Sequence, residues 1–196
     1  MKHSVDTRRL IIEDMQRLMI RDGLRAVRIN ELASHLSISK RTLYELFTDK
    51  LSLIDQSLTA LFGQWEESVA ERLAQPAGSY EKLVWLLGEY VRQLNVTGIR
   101  LLRELHAAEE NYLALMSWLK SWKANFCNLL CDCIAEGDCI ADTQTAAVTR
   151  GLMMSLFVAR LNGIPRNEQY DFGCTILRGI STPAGTELLE RLKTNG

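Results

Sequence analysis

Helical periodicity is the feature that most limits the fold of this 196-residue chain. Apolar residues recur three and four positions apart along almost its whole length, and no segment alternates apolar and polar residues long enough to indicate a β-strand. Only three prolines interrupt the pattern, which favours long helices because proline lacks the amide that a helix interior needs. We therefore predict an all-α fold.

The same pattern delimits individual helices. Breaks are indicated where glycine follows the last apolar position, as at Gly23, Gly98 and Gly137, and where prolines follow. We predict helices at about 6–21, 29–36, 40–47, 49–74, 80–95, 99–108, 111–136, 143–161, 168–180 and 185–193.

Composition excludes several classes of protein. Hydrophobic residues make up 47% of the chain and charged residues 24%, which argues against disorder. The first nine residues are polar, unlike a signal peptide. The most apolar run, 151–161, is far shorter than the roughly 20 residues that span a bilayer. We expect a soluble cytoplasmic protein whose five cysteines are reduced thiols, since their number is odd.

Charge is distributed unevenly along the chain. The net charge is −1, yet residues 1–50 contain ten Lys or Arg against seven Asp or Glu, and residues 51–196 contain thirteen against seventeen. Only the N-terminal quarter is therefore suited to bind a polyanion.

Two short helices in this quarter follow the plan of a helix-turn-helix. The first carries one apolar stripe, and Ser39 is suited to cap the second. Inward positions of the second helix are Leu43, Leu46 and Phe47, and outward positions are Lys40, Arg41, Thr42 and Glu45. This plan places a recognition helix in the major groove, although two short helices can also be plain packing units.

The identities of the residues narrow that choice. From Leu32 to Leu53 the chain reads LASHLSISKRTLYELFTDKLSL, which resembles the signature of the TetR family of transcriptional repressors. The matching positions are Ala33, Ser39, Thr42, Leu43, Tyr44, Phe47, Lys50 and Leu53. The resemblance is strong over about residues 6–55 and thin afterwards.

Two departures from the family concern helix ends. Arg28 stands where a Thr is usual and cannot cap a helix as Thr does, so either Asn30 caps the helix or its start is frayed. Leu36 and Ser37 replace the usual Ala-Gly of the turn. Ser37 indicates either less need for a positive φ there or some strain.

The resemblance implies an N-terminal three-helix DNA-binding domain, residues 1–50, with the helix-turn-helix at about 28–47. It implies a helical effector-binding and dimerisation domain over residues 51–196. It also implies that Thr42, Tyr44 and Lys50 hold phosphates, and Lys40 and Arg41 are the exposed donors expected to reach base edges. The predicted DNA-binding set is Arg28, Asn30, Ser39, Lys40, Arg41, Thr42, Tyr44 and Lys50.

The helix predicted at 143–161 is apolar on nearly every side and must be buried on nearly every side. Small residues four positions apart let another helix approach, and in the family the last two long helices pair across a dimer interface. An internal core helix is the alternative. The predicted interface consists of Gly151, Met154, Ser155, Val158, Ala159, Gly173 and Leu177.

The middle helices are rich in aromatic residues with polar tips, which can line an apolar pocket with a few polar anchors. The resemblance implies a pocket for an unidentified small-molecule effector among them, although ordinary core packing also explains such residues. The predicted lining is Trp85, Tyr90, Arg103, His106, Tyr112, Trp118 and Trp122.

Other chemistries have weaker signals. Cys127 and Cys131 lie four apart, which suggests a metal or thiol sensor, but the spacing is not that of a zinc site and buried thiols pack as small hydrophobes. The chain lacks a phosphate loop, a nucleophile elbow and a metal-binding His pair. We expect no enzyme, metal or cofactor. The remaining alternative is an architectural or interaction protein that binds DNA without an effector.

Overall fold

The computed structural model describes residues 2–107 and 112–194. Over these residues the chain forms ten α-helices and no strand, which confirms the predicted all-α fold. The helices are α1 (Lys2–Asp22), α2 (Ile29–His35), α3 (Lys40–Leu46), α4 (Lys50–Leu73), α5 (Ser79–Val96), α6 (Ile99–Ala107), α7 (Leu113–Ala135), α8 (Thr145–Leu161), α9 (Arg166–Gly179) and α10 (Pro183–Thr194).

Most predicted helix ends lie within two residues of the observed ones. The largest difference is at α1, which begins at Lys2 instead of residue 6, because its polar first turn carries no apolar periodicity to detect. The predicted ends at residues 108 and 111 lie outside the described residues.

The described helices pack into two compact units. The first contains residues up to 67 together with 97–118, and its core includes Ile11, Met15, Met19, Leu32, Leu43, Phe47 and Leu58. Helix α6 approaches α1 closely, since a β-carbon at Gly98 would lie 2.1 Å from the carbonyl oxygen of Ile20. Only glycine fits at that contact.

The second unit contains residues 68–96 and 119–196. Helix α5 packs against α8, α9 and α10. Its contact with α9 is close at Gly173, where a β-carbon would lie 2.5 Å from the Leu87 side chain. The predicted functional division at residue 50 stays a prediction.

None of the described helices combines the length and the apolar character that a membrane span needs.

Candidate nucleic-acid interface

The start of α2 has no side-chain cap. Arg28 occupies the N-cap position with extended backbone (φ −107°, ψ 129°) and makes no capping hydrogen bond. Its side chain is 78% exposed, and its Nε lies 3.9 Å from the Glu31 carboxylate. Asn30 is exposed in the first turn of the helix, so of the two alternatives for this helix end, the cap at Asn30 is not observed.

The turn between α2 and α3 is strained at Ser37. This residue has φ +53°, and it is the only non-glycine residue with positive φ among those described. The Ile38 amide donates to the Ala33 carbonyl at 3.0 Å, a bond that requires the left-handed turn. The structure therefore shows strain, and not a relaxed turn, at the position where the family has glycine.

Helix α3 is capped as predicted. The Thr42 amide donates to the Ser39 hydroxyl oxygen at 3.0 Å, and the two hydroxyl oxygens lie 2.8 Å apart. Leu43 and Phe47 are buried and attach the helix to the core. Asp49 caps α4 in the same way, accepting from the Ser52 amide at 2.7 Å.

The outer face of α3 is polar and exposed. Lys40 is exposed, Arg41 has an 88% exposed side chain, and Tyr44 is half exposed. The Arg41 Nε donates to the Glu45 carboxylate at 2.8 Å. An exposed pair of this kind is worth at most about 1 kcal/mol, so the guanidinium can exchange it for a nucleic-acid acceptor.

Lys50 is half-buried beside the start of α2. Its Nζ donates to the Val27 carbonyl at 2.6 Å, a contact that the sequence did not indicate. One ammonium proton is used in this way, and the other two remain for an acceptor such as phosphate.

Two further contacts that sequence analysis missed hold the helix-turn-helix in place. Arg8 donates to the Leu46 carbonyl at 3.3 Å, hydrogen-bonds Gln56, and lies 4.9 Å above the Phe47 ring. The buried Asp14 carboxylate accepts from the His35 Nδ1 at 2.7 Å. Both pairs are more than 20 residues apart in sequence, and helical periodicity carries no signal for them.

The residues predicted to line an effector pocket are divided between the two units. Arg103, His106, Tyr112 and Trp118 belong to the first, and Trp85, Tyr90 and Trp122 to the second. Arg103 and His106 are exposed. The Trp118 ring stacks on Phe62 with centroids 5.1 Å apart.

In the second unit, Tyr90 and Trp122 are core residues. Their ring centroids are 5.1 Å apart, and Phe126 contacts both rings. Burial raises the pKa of the Tyr90 phenol, so it stays protonated, and its hydroxyl lies 3.4 Å from the Met153 carbonyl. Trp85 lies beneath the Arg72 guanidinium at 5.7 Å. These contacts favour the core-packing interpretation for Tyr90 and Trp122.

The residues predicted for a dimer interface fall into two groups. Gly151, Met154 and Val158 are exposed on α8, and Ser155 and Ala159 are half-buried beside them. Gly173 and Leu177 are instead buried inside the second unit. The pattern on α9 did not show which face α5 covers.

The cysteines lie mainly in the interior. Cys133, Cys139 and Cys174 are buried, and the Cys127 thiol lies 3.4 Å from the Thr149 hydroxyl. Cys131 is exposed. Burial of three of the five favours the packing interpretation.

Comparison with known proteins finds a sequence similarity in the region of the helix-turn-helix. The sequence model for bacterial regulatory proteins of the tetR family matches residues 11–56, which span the second half of α1, all of α2 and α3, and the start of α4. No curated protein sequence matches the chain.

Solved structures share the fold of most of the chain. A TetR-family transcriptional regulator from Agrobacterium tumefaciens matches with a TM-score of 0.78 at 15% identity, covering 91% of this chain and 100% of that one. A proposed transcriptional regulator from Saccharomonospora viridis in complex with choline gives 0.78 at 17%, covering 91% and 99%. CprB from Streptomyces coelicolor in complex with its operator gives 0.74 at 23%, covering 98% and 99%.

These TM-scores show that the fold is shared, and the family model adds a sequence similarity over residues 11–56, which contain the helix-turn-helix. Residues 11–56 are therefore similar in sequence to the tetR family of bacterial regulatory proteins, and the chain shares its fold with solved TetR-family proteins.

Proposed function

We propose that the protein is a ligand-responsive repressor that acts in the cytoplasm and binds a palindromic operator as a homodimer. The observation that carries the proposal is the two-sided character of α3. Leu43 and Phe47 fix one side in the core, while Lys40, Arg41 and Tyr44 are exposed on the other. A short, firmly attached helix with a basic outer face is what the major groove admits.

The exposed residues divide by the part of DNA that they would reach. Lys40 and Arg41 lie in the first turn of α3, the part of a recognition helix that contacts base edges. A bidentate contact from Arg41 to guanine would discriminate by about 1 to 3 kcal/mol. Thr42, Tyr44 and Lys50 would hold phosphates and set the register. Ser39 at the start of α3, with Arg28 and Asn30 at the start of α2, would complete the contact surface.

The exposed apolar face of α8 supports a homodimer. Gly151, Met154 and Val158 follow one another at helical spacing, and Met154 and Val158 are 54% and 44% exposed. Phe172 of α9 is 44% exposed as well. Exposed apolar groups at successive turns favour association. Two-fold pairing would set the recognition helices about 34 to 36 Å apart, one turn of DNA.

An effector is supported by the relative that binds choline. A small molecule changes DNA affinity only when it binds two arrangements of the protein with different affinity. Helix α4 begins three residues after Phe47, in the first unit, and ends in the second. It is the continuous element through which such a difference would reach α3.

Selection from a pool of random duplexes tests the proposal. We expect a palindrome whose half-sites lie one helical turn apart, bound by two chains as measured by analytical ultracentrifugation with labelled duplex. A single unpaired half-site bound by one chain would contradict dimeric binding. Many unrelated sites, with no small molecule altering affinity, would favour the architectural alternative.

A further inference from the structure

Two backbone amides in the segment between α1 and α2 bind the carboxylate of Glu104, which lies on α6. Both belong to the first unit. The Leu24 amide donates to the Glu104 carboxylate oxygen, and the Arg25 amide donates to the same oxygen at 3.3 Å. These two amides lie 79 and 80 residues from Glu104 in sequence, so the contact is long-range.

The backbone at this point forms an anion-binding concavity. Gly23 ends α1 with φ +89°, and the two amides that follow it point to one oxygen. Successive amides after a left-handed residue form a nest that binds anions. A β-carbon at Gly23 would lie 2.8 Å from the Glu104 oxygen, so glycine supplies both the backbone conformation and the space for the carboxylate.

This arrangement offsets an unfavourable position for a negative charge. The carboxylate lies beside the C-terminal end of α1, where the helix dipole disfavours anions. Two charge-assisted hydrogen bonds outweigh that repulsion, because each contributes more than a neutral one. The close approach of Gly98 to Ile20, at the start of α6, holds the two helices at the required separation.

The segment ends at the uncapped start of α2. The Val27 carbonyl accepts a hydrogen bond from the Lys50 ammonium at 2.6 Å, and Arg28 follows as an N-cap residue without a capping bond. Glu104 and Lys50 are thus external contacts that fix the backbone leading into the first helix of the helix-turn-helix. They act where the sequence lacks the Thr usual in the family.

We propose that Glu104 is a positioning residue for DNA binding, which acts by fixing residues 23–28 and through them the start of α2. The inference rests on the proposed function. Glu104 itself would make no contact with DNA. Its contribution is to hold Arg28, Asn30 and the α2–α3 turn at one orientation before DNA arrives, so that no ordering cost is added on binding.

The test uses the full chain and the duplex obtained by selection. Glu104→Ala is expected to weaken binding about tenfold, the effect of losing charge-assisted bonds that fix the contact surface. This loss opposes the general electrostatic effect, because removing a negative charge strengthens attraction to a polyanion. Glu67→Ala is the matched control, since it removes the same charge from an exposed position on α4. It should bind as tightly as the unchanged protein, or slightly more tightly.

Two readouts separate positioning from a loss of stability. Glu104→Gln keeps an acceptor oxygen without the charge and is expected to lose only about threefold. Amide hydrogen exchange at Leu24 and Arg25 should quicken at least about tenfold in Glu104→Ala, at a temperature where circular dichroism shows full helicity. The salt dependence of binding should not change, because no phosphate contact is lost.

Equal binding by Glu104→Ala and Glu67→Ala would overturn the inference while leaving the proposed function in place. So would a loss of binding in Glu104→Ala with both amides still protected. Failure of the unchanged protein to bind any duplex would overturn the proposed function and the inference together.

Discussion

Helices α3 and α8 each bury one face in their own unit and expose the other, but the exposed faces differ in chemistry. Helix α3 has seven residues and one fully buried side chain, Leu43, and it exposes charged and polar groups. Helix α8 has seventeen residues and four buried side chains, and it exposes Met154 and Val158.

The difference indicates how each helix is held in place. A helix as short as α3 is not stable alone, so its position depends on the Ser39 cap and on contacts from Arg8 and Phe47. Helix α8 is fixed by its own buried face. Changes at the contacts that hold α3 should therefore alter both stability and DNA binding, whereas changes on the outer face of α8 should leave the stability of one chain unaltered and weaken DNA binding only through association.

The largest expected effect tests the outer face of α8. Val158→Asp places a charge on the stripe proposed to pair with a second chain. An unpaired charge buried in an interface costs about 3 kcal/mol or more, so the dimer dissociation constant should rise at least about 100-fold. Sedimentation equilibrium measures it, and helicity should be unchanged because the side chain is exposed within one chain.

Leu113→Asp is the matched control for this change. Leu113 is 82% exposed and lies in the first unit, outside the proposed interface. It should leave the association constant unaltered. If the Val158→Asp protein remains as dimeric as the Leu113→Asp protein, the outer face of α8 does not mediate association.

The next effect tests the face of α3. Arg41→Ala should lose about 1 to 3 kcal/mol on the selected duplex and little on unrelated duplexes, because a base contact discriminates among sequences. Lys50→Ala should weaken binding to all duplexes alike and lower the salt slope by about 1. Fluorescence anisotropy at several salt concentrations distinguishes the two patterns.

Lys120→Ala, an exposed lysine of α7, controls for the loss of one positive charge. An unchanged salt slope in Lys50→Ala would show that Lys50 serves only to hold Val27. Equal losses on every sequence for Arg41→Ala would remove its assignment as a base-reading residue.

Sequence alone predicted the features of α3 that are local. The caps at Ser39 and Asp49 follow from residues three positions apart, and the buried positions of Leu43 and Phe47 follow from helical spacing. At the start of α2 the sequence left two alternatives, a cap at Asn30 or a frayed start, and the Asn30 cap is not observed because α2 begins one residue before it without any side-chain cap. Helical spacing and N-cap residues thus located the helices, but they did not show which contacts hold the start of α2 where a side-chain cap is missing.

Long-range contacts had no sequence signal. The hydrogen bond from Arg8 to the Leu46 carbonyl joins residues 38 positions apart. The hydrogen bond from the Leu24 amide to Glu104 joins residues 80 positions apart. In the second unit, a pocket and a packed core remained alternatives for Tyr90 and Trp122, because inward-facing residues of a core and of a pocket have the same helical periodicity. On α9, the smallness of Gly173 indicated a close helix contact, and the structure shows that its partner is α5 of the same unit.

A smaller effect tests the dependence of α3 on its cap. Ser39→Ala removes the acceptor for the Thr42 amide and should lower the free energy of unfolding by about 1 kcal/mol. Ser34→Ala, on the exposed side of α2, should leave it within about 0.5 kcal/mol. Urea denaturation measures both. Identical losses in the two variants would show that the cap contributes nothing to α3.

The smallest effect tests the strained turn. Ser37→Gly removes the cost of a left-handed side-chain residue, about 1 to 2 kcal/mol, but adds freedom to the unfolded chain. The net gain in unfolding free energy should be about 0.5 to 1 kcal/mol, seen as a higher melting temperature. Ser34→Gly makes the same exchange inside α2, where φ is helical, and should lose a similar amount. The opposite signs follow from backbone conformation alone, so a loss in Ser37→Gly would mean that the serine hydroxyl stabilises the turn by more than the strain costs.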